Sequence, residues 1–408
     1  MFTSEQLKTA LWRHQYSALA LFAVLMALFF PVAKAPRNIA AVALILFAVM
    51  TAVVLKPRLK IFSVDLLAFL LVFGMPVLWF FHPGPGPYGA YAKDAVFALD
   101  MLALLFCLQV RQDITRTVIH AIIIGVVFTA CLSIFQYAGF IPMRDAGVTL
   151  GLLNGTLRGA FSLLLVFTIG ICSFMIRNSI DYKIVLFCLL AIIVCLADLL
   201  FVVAGRSGYL ALAVVGPYVV YNLYLKNKVV IVIILFVISA ALVASPTLGN
   251  RVTAARSDLV GYSQGAVTTP IGARFEMWKV SWDLFKSQPF FGAGTNGFKV
   301  RWDRDGREKT AHAIDNPHST YFYVLANYGF AGMGLLLFLL WRMARFSWLQ
   351  RNNLFGAAIF CYLIVFMVGS LTNTMLTSSF YLSWLAIMGA IMAGTPESSA
   401  SGVVDGAQ

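Results

Sequence analysis

The sequence predicts an all-α polytopic membrane protein, and three observations predict it. Of its 408 residues, 61% are hydrophobic and only 12% charged, with a mean hydropathy of +0.86. Apolar runs of about 18–20 residues recur along the chain, the length that crosses a hydrocarbon core. Most connections between these runs are short, as adjacent antiparallel helices require, and one stretch is much longer.

Taken in order, the apolar runs fall at 17–33, 38–55, 62–81, 93–110, 117–138, 159–176, 184–203, 207–224, 229–245, 318–341, 354–372 and 375–394, about twelve transmembrane helices. Helices one to nine occupy 1–245, the long outer loop 246–316, helices ten to twelve 317–395, and a small-residue-rich, disordered cytoplasmic tail 396–408. Lys8 and Arg13 precede the first run, and Ala33-Lys34-Ala35 mimics a signal-peptide cleavage site. The run exceeds a signal peptide's apolar region and Pro36 follows, so an uncleaved first helix is expected.

Cation placement sets the orientation. With both termini cytoplasmic, fourteen Lys and Arg residues fall on inner segments, among them Lys56, Arg58, Lys60, Arg177, Arg342 and Arg345. Six fall on short outer loops or helix starts: Lys34, Arg37, Lys93, Arg144, Arg158 and Arg206. The remaining ten lie in 246–316, whose length exempts them from the rule. The formal charge of +13 is spread over loops on both faces with no arginine stripe, which argues against nucleic acid as a partner.

On this orientation the second, fourth, sixth, eighth and tenth helices start on one outer side, with Arg37, Lys93, Arg158, Arg206 and His318 at their starts. A helix N-terminus carries partial positive charge, so a cation there is mildly unfavourable until an anion joins it. Several such starts around one cavity would suit a strongly anionic group at a membrane surface, a lipid-linked pyrophosphate above all.

Three outer segments lead into these helices. His82 to Gly89 is a proline-glycine loop ahead of Lys93 and Asp94, and 139–157 contains Arg144 and Asn154 ahead of Arg158. Within 246–316, Phe275, Trp278, Trp282 and Phe285 recur at three- and four-residue spacing, predicting an amphipathic helix with interfacial aromatics. Arg274 begins it, with Trp278 four residues on along the same face. The six cysteines all lie within apolar runs and read as packing residues, with no disulfide framework.

Asn316 and Pro317 predict an N-cap and first helical residue, putting His318 in the first turn. The helix dipole and nearby cations both disfavour imidazolium there, leaving a neutral ring able to accept a proton from an alcohol. The competing account is a histidine at a water interface. Arg206 and Arg274 offer planar forks of donors for phosphate oxygens, or else they snorkel to lipid headgroups. Gly292-Ala293-Gly294-Thr295-Asn296-Gly297 matches GxGxxG without a surrounding Rossmann unit and is expected to be a turn. Asp303-Arg304-Asp305 matches a metal-holding DxD string, but Arg301, Arg304, Arg307 and Lys309 around it predict a self-neutralising loop. No metal site is predicted.

Arg206, Arg274, the segment FFGAGTNGF and HSTYFYVLANYGFAG together resemble the O-antigen ligase (WaaL) family, which is related to Wzy-type O-antigen polymerases. The resemblance is clearest over about 190–345. It implies a GT-C-like fold with 246–316 as one large periplasmic loop containing amphipathic helices, in the bacterial inner membrane. It implies an enzyme that moves a glycan from undecaprenyl pyrophosphate to the lipid A–core oligosaccharide, with no cofactor and no metal. By motif position His318, Arg206 and Arg274 match the family's essential histidine and arginines. On that reading Lys93 and Arg158 assist in holding pyrophosphate, Tyr88, Trp278 and Asn373 line the cavity, and membrane lipid surrounds the donor chain. A polymerase shares these motifs. A transporter of anionic or lipid-linked solutes would instead use mid-membrane ionisable groups, for which Asp65, Asp100, His120 and Asp198 are available.

Overall fold

A computed structural model describes residues 4–55, 63–78, 89–141, 158–203, 205–226, 246–265, 267–305 and 314–395. Among the described residues the chain is helical, with no strand. The helices are α1 (Ser4–Phe29), α2 (Lys34–Leu55), α3 (Val64–Phe73), α4 (Met75–Leu78), α5 (Gly89–Val110), α6 (Thr115–Tyr137), α7 (Arg158–Asn178) and α8 (Tyr182–Ala197). After a π turn at Asp198–Val203 come α9 (Arg206–Lys226), α10 (Pro246–Ser263), α11 (Pro270–Ser287), α12 (Gly297–Asp305), α13 (Thr320–Leu349), α14 (Leu354–Thr372) and α15 (Ser379–Gly394).

Six helical stretches are long and apolar enough to cross a membrane: Lys34–Val54, Gln112–Tyr137, Arg158–Asn178, Tyr182–Val203, Thr320–Leu349 and Leu354–Thr372. Shorter apolar helices at His14–Phe29, Val64–Phe73 and Ser379–Gly394 coincide with the expected first, third and twelfth runs. The protein is a multi-pass membrane protein. The expected ninth run, 229–245, and the tail 396–408 lie outside the described residues. The third run is interrupted: Ser63 caps α3 by accepting the Leu66 N–H at 3.1 Å, and the helix stops at Gly74. Pro76 follows immediately, and its missing N–H cannot continue the α3 ladder.

Lipid tails are as apolar as leucine, so helix association here depends on close packing more than on hydrophobic burial. The bundle centres on α7, which packs against α8, α9 and α14. A Cβ at Gly208 would meet the Ser162 Cβ at 2.5 Å, so glycine lets α9 lie directly on α7. Trp384 of α15 is fully buried, edge-on to Phe167 with ring centroids 5.1 Å apart and tilted against Tyr362 at 4.9 Å. At the far end of α13, Arg342 donates from Nε to Asp65 Oδ1 at 2.6 Å, both side chains buried. The buried pair ties α13 to α3.

A second, smaller core lies in the segment between α9 and α13. Met277, Val280 and Leu284 of α11 pack with Phe298 and Trp302 of α12 and Ala326 of α13. The predicted amphipathic helix is α11, opened by Thr269, whose side chain accepts the Gly272 N–H, with Pro270 in its first turn. The GxGxxG segment is a turn, as expected, and it fills a kink in α13. Gly329 has φ 61°, which opens that helix. Phe330 N–H then donates to Pro289 O at 2.8 Å, and Gly294 N–H to Asn327 O at 2.9 Å. Gly292 has φ 67°, and a Cβ there would lie 2.4 Å from Asn327 C, so only glycine fits. Asp305 takes Arg301 Nε and Arg304 Nε, each at 2.6 Å, so the charges of the DxD string do neutralise one another, but within the helix α12 rather than in the expected loop. Arg307 and Lys309 lie outside the described residues.

Candidate functional site

Four helix ends meet around one polar junction. A Cβ at Gly205 would lie 3.2 Å from Arg158 O, so the start of α9 abuts the start of α7. Ser207 Oγ lies 2.7 Å from Thr372 Oγ1, and Asn373 Nδ2 donates to Ser207 Oγ at 3.0 Å. The end of α14 thereby joins the start of α9. Asn373 O in turn accepts Thr320 N–H and Thr320 Oγ1–H, both at 3.1 Å, and Thr320 Oγ1 accepts Met375 N–H at 2.8 Å. These bonds fasten the start of α13 to the same point.

His318 sits just outside α13. The expected capping is corrected: Ser319 is the N-cap, the helix begins at Thr320, and neither Pro317 nor His318 is in its first turn. The physical reason is competition for Asn316. Its Oδ1 accepts His318 N–H at 3.1 Å and Thr374 Oγ1–H at 2.7 Å, so it is not available to cap. His318 takes φ 50°, a left-handed conformation uncommon for any residue with a Cβ. Trp278 Nε1–H donates to Pro317 O at 3.1 Å, and its indole stacks on Phe322 with ring centroids 5.3 Å apart and planes 13° from parallel. Helix α11 is thereby docked beside the histidine.

The charges at this junction sense one another. Burial first, and then the Arg206 charge, lowers the Arg274 pKa from its usual value. His318 is exposed as a residue, yet desolvation by surrounding protein, followed by the Arg274 charge, holds it below the ordinary histidine value. The neutral ring expected from the sequence is therefore favoured by burial and Arg274 rather than by a first-turn dipole. Among the described residues, none of Arg158, Arg206 and Arg274 has a carboxylate partner. Elsewhere Arg111, Arg301, Arg304 and Arg342 each have one.

Of the sequence-predicted residues, Arg206, Arg274, His318, Trp278, Asn373 and the start of α7 at Arg158 come together. Lys93 falls in α5, with its side chain outside the described residues, and Tyr88 lies outside them altogether. Arg37 departs from the expected ring. It is 4% exposed, donates twice to Asn38 Oδ1 at 3.1 and 2.6 Å, and is balanced electrostatically by Asp100. Asp65 pairs with Arg342 and Asp198 accepts from Ser133 Oγ at 2.8 Å, so these two carboxylates serve separate helix contacts. Sequence reasoning missed Ser207, Thr320, Thr372 and Thr374 as the junction's fasteners. Their signal was a polar trio, Thr372-Asn373-Thr374, interrupting an apolar run.

Such a junction suits a multiply charged anion. Two arginines close enough to repel have unused donors, and a phosphate between them would relieve the repulsion. A neutral imidazole alongside can take a proton from a hydroxyl.

Residues 191–337 match the family model described as O-antigen ligase. A protein of Haemophilus influenzae described as uncharacterized is 30% identical over 191 residues, which is 45% of this chain and 46% of that protein. The chain thus spans about half the length of the curated relative it matches. The family-matched stretch contains Arg206, Arg274 and His318, while Arg158 and Asn373 fall outside it.

Proposed function

We propose, from the O-antigen ligase family segment at residues 191–337, that this protein is an inverting, metal-independent glycosyltransferase. It takes a glycan from undecaprenyl pyrophosphate and joins it to the lipid A–core oligosaccharide at the periplasmic face of the inner membrane, in lipopolysaccharide biosynthesis. The observation that carries the reading is the Trp278 Nε1–H bond to Pro317 O at 3.1 Å, which docks the helix bearing Arg274 beside His318. In the accompanying topology twelve helices span the membrane. Residues 1–245 hold nine, 246–316 form the periplasmic loop with α10, α11 and α12, 317–395 hold three, and 396–408 are a cytoplasmic tail.

In the reaction an acceptor sugar hydroxyl attacks the anomeric carbon from the face opposite the pyrophosphate. The new carbon–oxygen bond forms as the bond to the leaving oxygen breaks, and the hydroxyl proton passes to the free nitrogen of His318. Undecaprenyl pyrophosphate departs with the bonding electrons. Arg206 and Arg274, assisted by Arg158 and Lys93, stabilise the charge growing on that oxygen. A single such interaction is worth about 3–4 kcal/mol, roughly a hundred- to thousandfold in rate. Because pyrophosphate is already a competent leaving group, arginine donors can serve where other transferases use a metal. Tyr88, Trp278 and Asn373 are assigned to the wall of the site, and the prenyl chain runs along an apolar groove between helices, open laterally to lipid.

The test is a one-pot reaction of the full-length protein in lipid nanodiscs with undecaprenyl-pyrophosphate-linked glycan, lipid A–core acceptor and a chelator. The expected product is glycan on lipid A–core, absent with His318→Ala. Chain growth on the lipid carrier without acceptor would identify a polymerase instead, and uptake without any glycosyl product would identify a transporter.

A further inference from the structure

We infer that Asn316 is a positioning residue for the base, holding His318 in its left-handed conformation through a single amide oxygen that Thr374 anchors. The inference rests on His318 being the base, as proposed above. A left-handed conformation at a residue with a Cβ is strained and persists only where the surroundings over-determine it. The surroundings here do so from both sides. Downstream, Ser319 Oγ donates to Ser370 O at 3.0 Å, and Thr320 is fastened to Asn373 O. Upstream, Pro317 O is held by the Trp278 indole. The contact made to His318 itself is Asn316 Oδ1, which receives the His318 N–H at 3.1 Å.

That oxygen is in turn oriented by Thr374 Oγ1–H at 2.7 Å, from a threonine only 5% exposed. Thr374 adjoins Asn373, whose carbonyl holds Thr320 and whose amide holds Ser207 beside Arg206. One short segment after α14 therefore sets the histidine and the start of α9 in the same frame. Loosening Asn316 should move the imidazole relative to the arginines without removing any group that touches substrate.

Both bonds to Asn316 end on its oxygen, and the amide nitrogen takes part in neither. Aspartate can therefore keep both bonds and add a negative charge, whereas leucine keeps neither. The charged groups around the ring define what the added charge would do. Arg274 of α11 acts on the imidazole, and Arg206 at the start of α9 acts on Arg274. On the histidine's own segment, Asp315 is exposed and paired with Lys299 of α12. A new carboxylate two residues from His318 would favour imidazolium and move the acid limb of the rate to higher pH.

The experiment measures kcat and donor KM against pH for the full-length protein in nanodiscs, with undecaprenyl-pyrophosphate-linked glycan and lipid A–core. Variants are His318→Ala, Asn316→Asp, Asn316→Leu and Thr374→Val, normalised to folded protein. Asn316→Leu should lose about tenfold or more in plateau kcat with donor KM within about twofold, the signature of misplaced chemistry rather than lost binding. Asn316→Asp should keep the plateau within about threefold while its acid limb moves upward. Thr374→Val should fall between. Full plateau activity in Asn316→Leu, or an Asn316→Asp plateau as low as that of Asn316→Leu, overturns the inference. Where Asn316→Leu does not fold, a wild-type pH profile in Asn316→Asp together with full activity in Thr374→Val does the same. An active His318→Ala overturns the base assignment and this inference together, whereas an inactive His318→Ala beside a fully active Asn316→Leu removes this inference alone.

Discussion

The indole N–H of Trp278 donates to the carbonyl oxygen of Pro317 at 3.1 Å, joining the helix that carries Arg274 to the residue before His318. One turn of α11 separates Arg274 from Trp278, so this bond sets the distance between an arginine and the histidine whose protonation it opposes. Phe322 stacks beneath the same indole, which limits its rotation.

Replacing Trp278 by phenylalanine keeps the stack and removes the donor. A neutral hydrogen bond contributes about 0.5–1.5 kcal/mol, so Trp278→Phe should lower kcat/KM by about three- to tenfold. Trp278→Ala loses the stack as well and should fall further. Initial rates at saturating and limiting donor distinguish the two, and wild-type rates in Trp278→Phe would show that the bond has no role in placing the base.

Transfer requires neutral imidazole, and His318 is held below the ordinary histidine value by desolvation and then by Arg274. The rate should therefore stay on its plateau as pH falls to about 6.5, the usual histidine value, and decline only below it. Removing the Arg274 charge takes away one of the two causes, so the residual activity of Arg274→Gln should decline at a higher pH than wild type. A limb moving to lower pH would contradict the electrostatic link.

Arg274→Lys retains a positive charge and loses the planar fork. If Arg274 grips pyrophosphate, kcat should drop by about a hundredfold or more, with the protein still folded. Full activity in a steady-state assay would reduce Arg274 to a lipid-headgroup contact.

Asp65 and Arg342 test the fold independently of the site. Breaking a buried pair strands a charge at a cost of about 3–5 kcal/mol, whereas replacing both partners with apolar residues is often neutral. Asp65→Leu and Arg342→Met should each lower the thermal midpoint in nanodiscs, and the double variant should recover most of the loss. Additive losses would mean that the two do not act as a pair.

Gly292 meets two constraints at once, a φ of 67° and backbone atoms 2.4 Å from any added Cβ. Gly292→Ala should destabilise the protein by about 1–3 kcal/mol or more and loosen the turn from the kink in α13. Protease cleavage between α11 and α12 measures the loosening.

Much of the bundle was legible in the sequence because crossing a membrane demands about 20 apolar residues in a row, and that pattern survives any tertiary arrangement. The amphipathic α11 was legible from the helical spacing of Phe275, Trp278, Trp282 and Phe285, but which face packs inward was not: Met277, Val280 and Leu284 form the small core while Trp282 is exposed. The third run was misjudged in detail because hydropathy does not register the break at Gly74-Met75-Pro76. Arg37 was assigned to the outer ring from its place at a helix start, while its neutralising partner Asp100 stands on another helix, 63 residues on. The start of α13 was misread because Asn316 is a strong capping residue by local rules. Thr374, 58 residues away, and the His318 N–H occupy its oxygen instead.

By itself the sequence determined that the chain is helical and crosses a membrane repeatedly, and which cations and which histidine stand near helix starts, because burial and charge patterns are written residue by residue. Only the tertiary structure decided that Arg274 lies within electrostatic reach of both Arg206 and His318, that Arg37 is balanced by Asp100, and that His318 is strained and held from outside its own helix. Those outcomes depend on hydrogen bonds and Coulomb forces acting over a few ångströms between segments distant in the chain, and no local pattern encodes such distances.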